Sequence, residues 1–251
     1  MEHFKPFVHV RNTLAVLAGV PRRVLAHRQN KEAGDSQEQT GFACIRKFRL
    51  SWKTRHPERV EAAIGKHLVK EGVKLAMRGE LNQAIVLFEK AAEQGYQQPA
   101  LYYNWGLAQS HLGEHENACE MYLTALELDP GCVDAAVNWG VSLAALERHE
   151  EATEKYRQAS EIDSKASAIF FNWGCSLVAM DRHDDACEMF EKAAQLSPKD
   201  AQIHYNWAVC LARTGQVEAA IERLEAFSKL ARGRFKDQVE HARSLLEPVE
   251  K

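Results

Sequence analysis

The sequence predicts an all-α protein, an α-solenoid of about five helix pairs, and three observations point to it. Asn104-Trp105-Gly106 returns as Asn138-Trp139-Gly140, Asn172-Trp173-Gly174 and Asn206-Trp207-Ala208, each step being 34 residues. Self-similarity at one fixed period of this size marks stacked supersecondary units. Other columns keep the same step: Ala118, Ala152, Ala186 and Ala220; then Tyr122, Tyr156, Phe190 and Leu224; then Ala125, Ala159 and Ala193. Composition agrees, because the chain is rich in the helix formers Ala, Glu, Leu, Gln and Lys and holds only 14 Gly and 7 Pro.

Each unit reads as two antiparallel helices. Leu101, Trp105, Ala108 and Leu112 recur at i, i+4, i+7 and i+11, one stripe of a helix. Ala118, Met121, Tyr122 and Ala125 form a second stripe, and Gly113 breaks the chain between the two. Small residues let the backbones approach, and the aromatic after Ala118 fills the adjoining gap. Asp129-Pro130 and Ser197-Pro198 end units, since proline cannot continue a helix. Stepping back 34 residues reaches Gly72, Ala84, Phe88 and Ala91, a fifth and more divergent unit. The units are expected at about 65–98, 99–132, 133–166, 167–200 and 201–234, within an array covering 55–234. Pro57 suits a first helical turn and starts a helix that runs into the first unit. Phe235, Val239, Ala242 and Leu246 share one face, so residues 235–251 are expected to form the capping helix that an open solenoid end needs.

This pattern resembles the tetratricopeptide repeat (TPR) family over about residues 65–234. The family's small–aromatic–small–Pro signature is present. The tryptophan usual near the start of the first helix is replaced by Tyr102, Ala136, Phe170 and His204, with Trp105, Trp139 and their equivalents three residues later. Phe227 breaks the last alanine column. The resemblance implies a right-handed superhelix whose concave face is lined by the first helix of each pair. Carried over residue by residue, that face holds Val69 and Val73; Tyr103, Leu107 and His111; Val137 and Val141; Phe171 and Cys175; and Tyr205 and Val209. An apolar, aromatic strip left over after the core is satisfied marks a binding surface, unless neighbouring units or the N-terminal arm cover it. Such a groove suits an extended peptide or an amphipathic helix.

Asn104, Asn138, Asn172 and Asn206 border the same face. Two roles stay open for them: gripping a peptide backbone, as an asparagine ladder does in related superhelices, or hydrogen bonding inside their own helix pair. Some relatives clamp the C-terminal carboxylate of heat-shock chaperones with Lys, Arg and Asn. The matching positions here are Val69, Val73, Asn104, Asp134 and Asn138, and Asp134 would repel a carboxylate. A chaperone-tail binder is not expected. The function expected is therefore an adaptor or scaffold holding a partner's peptide segment or helix, with self-association through the same groove as a variant.

Enzymatic chemistry has no positive signal. His149-Glu150-Glu151 begins like H-E-x-x-H, but Thr153 stands where the second histidine should be. No G-x-S-x-G, P-loop or G-x-G-x-x-G occurs. His115, His149 and His183 recur every 34 residues. Successive repeats lie about 10 Å apart, whereas zinc draws its ligands to about 2 Å, so they cannot share one ion. No catalytic residue, metal or cofactor is expected.

The charge is asymmetric. Residues 1–54 carry 10 Lys/Arg against 4 Asp/Glu; the remainder carries 22 against 31. The acidic body argues against nucleic acid. Residues 3–31 contain no acid, and Val10, Leu14 and Leu17 share a helical face. This arm is the basis of the alternative reading, a membrane-surface assembly component tethered to anionic lipid by residues 1–54. Organelle targeting by the arm stays open, although serine is absent from residues 3–31. Six scattered cysteines without a C-x-x-C pair fit a reducing, cytoplasmic setting, with membrane association left open.

Overall fold

The structure is a computed structural model that describes residues 57–231. Ten helices fill this span and no strand occurs among the described residues. They run in pairs: α1 Pro57–Met77 and α2 Leu81–Glu93; α3 Pro99–Leu112 and α4 His115–Leu128; α5 Val133–Ala145 and α6 His149–Ile162; α7 Ser167–Ala179 and α8 His183–Leu196; α9 Ala201–Arg213 and α10 Val217–Ala231. The all-α helical-solenoid reading holds. The expected arm 1–54 and capping helix 235–251 lie outside the described residues.

The chain divides into two compact units between Gln97 and Gln98. In the first, α1 has 21 residues where α3 has 14. Its inner face closes on α2 at Gly72, where an added Cβ would lie 2.6 Å from a Phe88 ring atom. The second unit holds α3 to α10.

Every turn inside a pair closes the same way, and the 34-residue period explains why. The N–H of Glu80, Glu114, Arg148, Arg182 and Gln216 donates to the carbonyl of Leu75, Gln109, Leu143, Leu177 and Leu211, at 2.9–3.0 Å. This is the Schellman closure, which satisfies carbonyls orphaned at a helix end. It needs a left-handed residue just before the donor. Gly79, Gly113 and Gly215 supply it, with φ of 82°, 83° and 78°. In the two middle pairs the position is Glu147 and Asp181, at 60° and 61°. Between pairs, the Asp129 carboxylate accepts from the Gly131 N–H (3.0 Å) and that of Asp163 from the Lys165 N–H (2.8 Å).

The core of the second unit is a chain of clusters. Ala118, Tyr122 and Ala125 are buried, as are their counterparts Ala152, Tyr156 and Ala159, and Ala186, Phe190 and Ala193. Each aromatic ring enters a notch that glycine leaves in the preceding helix. A Cβ on Gly106, Gly140 or Gly174 would lie 2.9, 2.5 or 2.7 Å from the ring of Tyr122, Tyr156 or Phe190. In the last pair the ring becomes Leu224, and the notch residue becomes Ala208. Trp139 packs against both the Tyr122 and the Tyr156 clusters, and Trp173 against the Tyr156 and Phe190 clusters. The tryptophan column thus joins one pair to the next. Leu112, expected in the inner stripe, lies exposed, because the chain turns at Gly113 directly after it.

Candidate functional site

In the second unit the first helices of the pairs are almost free of charge, whereas α1 of the first unit is strongly charged. Between them α3 and α7 contain no Asp, Glu, Lys or Arg; α5 has only Asp134 and α9 only Arg213. The second helices differ sharply: α6 alone carries Glu150, Glu151, Glu154, Lys155, Arg157 and Glu161. Helices in full contact with water on one side normally show a charged face.

The structure divides the expected groove residues by exposure. In the second unit Tyr103, Asn104, Leu107, Val137, Asn138, Val141, Asn172 and Cys175 are half-buried, and His111 is exposed. Phe171, Tyr205, Asn206 and Val209 are buried. The Phe171 ring lies 6.1 Å from that of Phe190, and the Tyr205 ring 5.3 Å from that of Phe227. Tyr205 and Val209 form one cluster with Phe227 and Ala231. The residue that breaks the alanine column therefore covers the first-helix face of the last pair. In the first unit Val69 is buried and Val73 half-buried.

The asparagines differ as well. Asn104 donates its Nδ2 hydrogen to the Ala100 carbonyl (2.6 Å) and Asn138 to the Asp134 carbonyl (2.9 Å), four residues earlier in the same helix. Asn138 Nδ2 also reaches the Tyr103 hydroxyl (3.4 Å). The intra-helix role thus holds for these two. Asn138 keeps its carbonyl oxygen for a ligand, and Asn104 keeps its carbonyl oxygen and a second N–H.

A cavity of about 240 Å³ opens between α5, α6 and α7. Its apolar wall is Val141, Ala144, Ala145, Cys175 and Ala179. Asn172, Ser176, Tyr156, His149 and the turn residue Glu147 add polar atoms. The cavity joins three expected groove residues, Val141, Asn172 and Cys175. Sequence reading missed Ala145, Ala179 and Glu147. The signal lay in the columns: position 145 corresponds to His111 before it and Ala179 after it, and position 179 to Arg213 after it. Alanine replaces a larger side chain at both, so a hollow is left.

Burial pushes the Cys175 thiol up to about 12 and the Tyr156 phenol above its usual range, so both stay protonated at neutral pH. Glu147 is the one acidic group of the lining, and no Lys or Arg lines it. The neighbouring Arg148 is held by a two-pronged ion pair with Glu151 (2.6 and 2.7 Å). Asp181, at the equivalent turn, faces the Nε2 of His183 at 2.9 Å. Glu147 has no ion pair among the described residues.

His115, His149 and His183 each open a second helix, and each keeps Nδ1 buried without a hydrogen-bond partner. Among the described residues no three His, Cys, Asp or Glu side chains gather as a metal site would require. The Cys119 thiol, half-buried, is raised to about 11, chiefly by burial. The Cys210 thiol donates to the His183 carbonyl (3.0 Å), and the neighbouring Cys187 and its burial raise it. Periodicity did not reveal the two neighbouring cysteines, since they sit in different columns.

Comparisons with known proteins agree with the geometry. A tetratricopeptide-repeat family profile matches residues 177–247, and a second matches residues 99–132. No curated protein gives a significant match. The fold is similar to YrrB, described as a TPR protein with an unusual peptide-binding site: TM-score 0.62, 23% identity, 76% of this chain and 97% of that one covered. It is also similar to MamA from Desulfovibrio magneticus RS-1, with TM-score 0.63, 18% identity and coverage of 69% and 98%. PilF of Pseudomonas aeruginosa gives TM-score 0.61, 22% identity and coverage of 72% and 90%. With its 34-residue helix pairs, glycine-notch packing and family matches, the chain contains tetratricopeptide repeats.

Proposed function

We propose that this repeat array is a protein-interaction scaffold that holds a partner's peptide segment or helix on the first-helix face of α3, α5 and α7. One observation carries the reading: this face combines partial exposure with near absence of charge. Tyr103, Leu107, Val137, Val141 and Cys175 remain half-buried, while Asp134 is the only charged residue on the three helices. Apolar surface that the fold leaves uncovered is the usual mark of an interaction site. The peptide-binding site named for the similar YrrB fold supports the same reading. Affinity capture with mass spectrometry tests it. A Leu107→Glu, Val137→Glu variant keeps its helical circular dichroism and loses the partners that the native protein recovers. Equal recovery by both proteins overturns the groove. Phe171 and Tyr205 are unsuitable for this test, because both are buried against second-helix rings.

A second reading rests on the charge of residues 1–54, where 10 Lys/Arg oppose 4 Asp/Glu. A basic arm tethers a protein to anionic lipid through about 1 kcal/mol per residue near the surface. Among the described residues no helix is long and apolar enough to cross a membrane. Cosedimentation with phosphatidylserine vesicles decides the point. The tether requires that removing residues 1–54 abolish sedimentation; unchanged sedimentation rejects it.

A further inference from the structure

We propose that the cavity between α5, α6 and α7 is a specificity pocket for one lysine or arginine side chain, flanked by apolar residues, of the bound peptide. The inference rests on the groove reading above and adds what the groove selects. The pocket opens beside half-buried Val141, Asn172 and Cys175, so a side chain of a peptide on that face can enter it.

The lining decides the chemistry. Ala144, Ala145 and Ala179 form an aliphatic sleeve, which suits the methylene stem of a long side chain. Glu147 supplies a carboxylate without an ion pair among the described residues, and no Lys or Arg lines the cavity. An aliphatic stem ending in a cation matches both features; an acidic end would meet Glu147. The surroundings point the same way. Residues 98–231 hold 21 Asp/Glu against 10 Lys/Arg, and no Lys or Arg occurs between Lys90 and Arg148. The carboxylate also stands where other repeats place glycine. Gly113 and Gly215 occupy the equivalent left-handed position, and Glu147 adopts φ 60° there. At the next repeat Asp181 does the same, but its carboxylate engages His183. The flanking hollow is local too: one repeat earlier His111 stands in place of Ala145, and one repeat later Arg213 stands in place of Ala179.

The test is a positional-scanning library of biotinylated nonapeptides, captured on the immobilised full-length protein. Three proteins are compared: the native chain, Glu147→Gly, and Ala179→Met. Glycine keeps the left-handed turn, so loss of binding in the first variant is not loss of fold; thermal melts of both variants check this. The native protein is expected to select Lys or Arg at one position, by roughly fivefold over norleucine. Both variants are expected to lose that preference and keep the apolar preferences at neighbouring positions. A native protein that selects apolar residues alone overturns the pocket and leaves the groove standing. So does a Glu147→Gly variant that still selects cations. A native protein that captures no peptide overturns both.

Discussion

At the residue scale the fold depends on which atoms are missing. Gly140 leaves the space that Tyr156 occupies, and a methyl group there would come within 2.5 Å of the ring. Overpacking a closed core costs about 1–3 kcal/mol. Gly140→Ala should therefore lower the unfolding free energy of the full chain, read from urea denaturation, by about 1–3 kcal/mol. Ala208 and Leu224 show the compensated version of the same contact. Adding Tyr156→Leu should make the double variant less unstable than the sum of the single changes by about 1 kcal/mol. A strictly additive pair would mean that ring and notch do not touch. Glu147 offers the reverse case. A left-handed L-residue costs about 1–2 kcal/mol, and the extra freedom of unfolded glycine returns about 0.4–1 of it. Glu147→Gly should raise the unfolding free energy by about 0.5–1 kcal/mol, and a lower value would mean that the carboxylate has a stabilising partner.

At the element scale the second helices of the second unit carry the charge that its first helices lack. On α6, Arg157 pairs with Glu154 at 2.6 Å and also with Glu161. The Arg157 hydrogen bond is the main cause holding the Glu154 carboxyl down at about 2 against an ordinary 4.5. A carboxyl lowered in the folded state stabilises the fold above its unfolded pKa. That contribution fades as pH falls from about 4.5 towards 2. A carbon-13 NMR titration should place the Glu154 midpoint near 2, and Arg157→Gln should move it up towards 4.5. An unchanged midpoint in the variant would remove Arg157 as the cause. The pair is fully exposed, so its part in overall stability is minor.

At the scale of the second unit, each pair touches its neighbours through the same columns, so one repeat is interchangeable with another. Deleting residues 133–166 removes α5 and α6 and places Ser167 where Val133 stood. Trp173 then meets the Tyr122 cluster as Trp139 did. Nearest-neighbour stability predicts a folded chain with unchanged helicity per residue and a lower Tm, because one interface is gone. Circular dichroism on heating checks this; loss of the cooperative transition would mean that the units are not equivalent. The shortened chain also lacks the cavity, whose walls come from α5 and α6 as well as α7.

The sequence by itself determined the helix pairs, their period and their mutual packing. The reason is local: Ala152, Tyr156 and Ala159 sit at helical spacing and Gly140 recurs at the same 34-residue step, so a stripe and its notch are legible in the sequence. It also placed the first-helix face. Tertiary structure alone decided how much of that face is open. Phe227 covers Tyr205 and Val209, and Asn138 reaches across to the Tyr103 hydroxyl of the preceding pair. Tertiary structure also created the cavity, since three alanines on two helices make a hollow only when those helices are neighbours. Periodicity reports what each repeat shares. A binding preference comes from where one repeat departs from the others, and the size of that departure is set by packing across chain-distant residues.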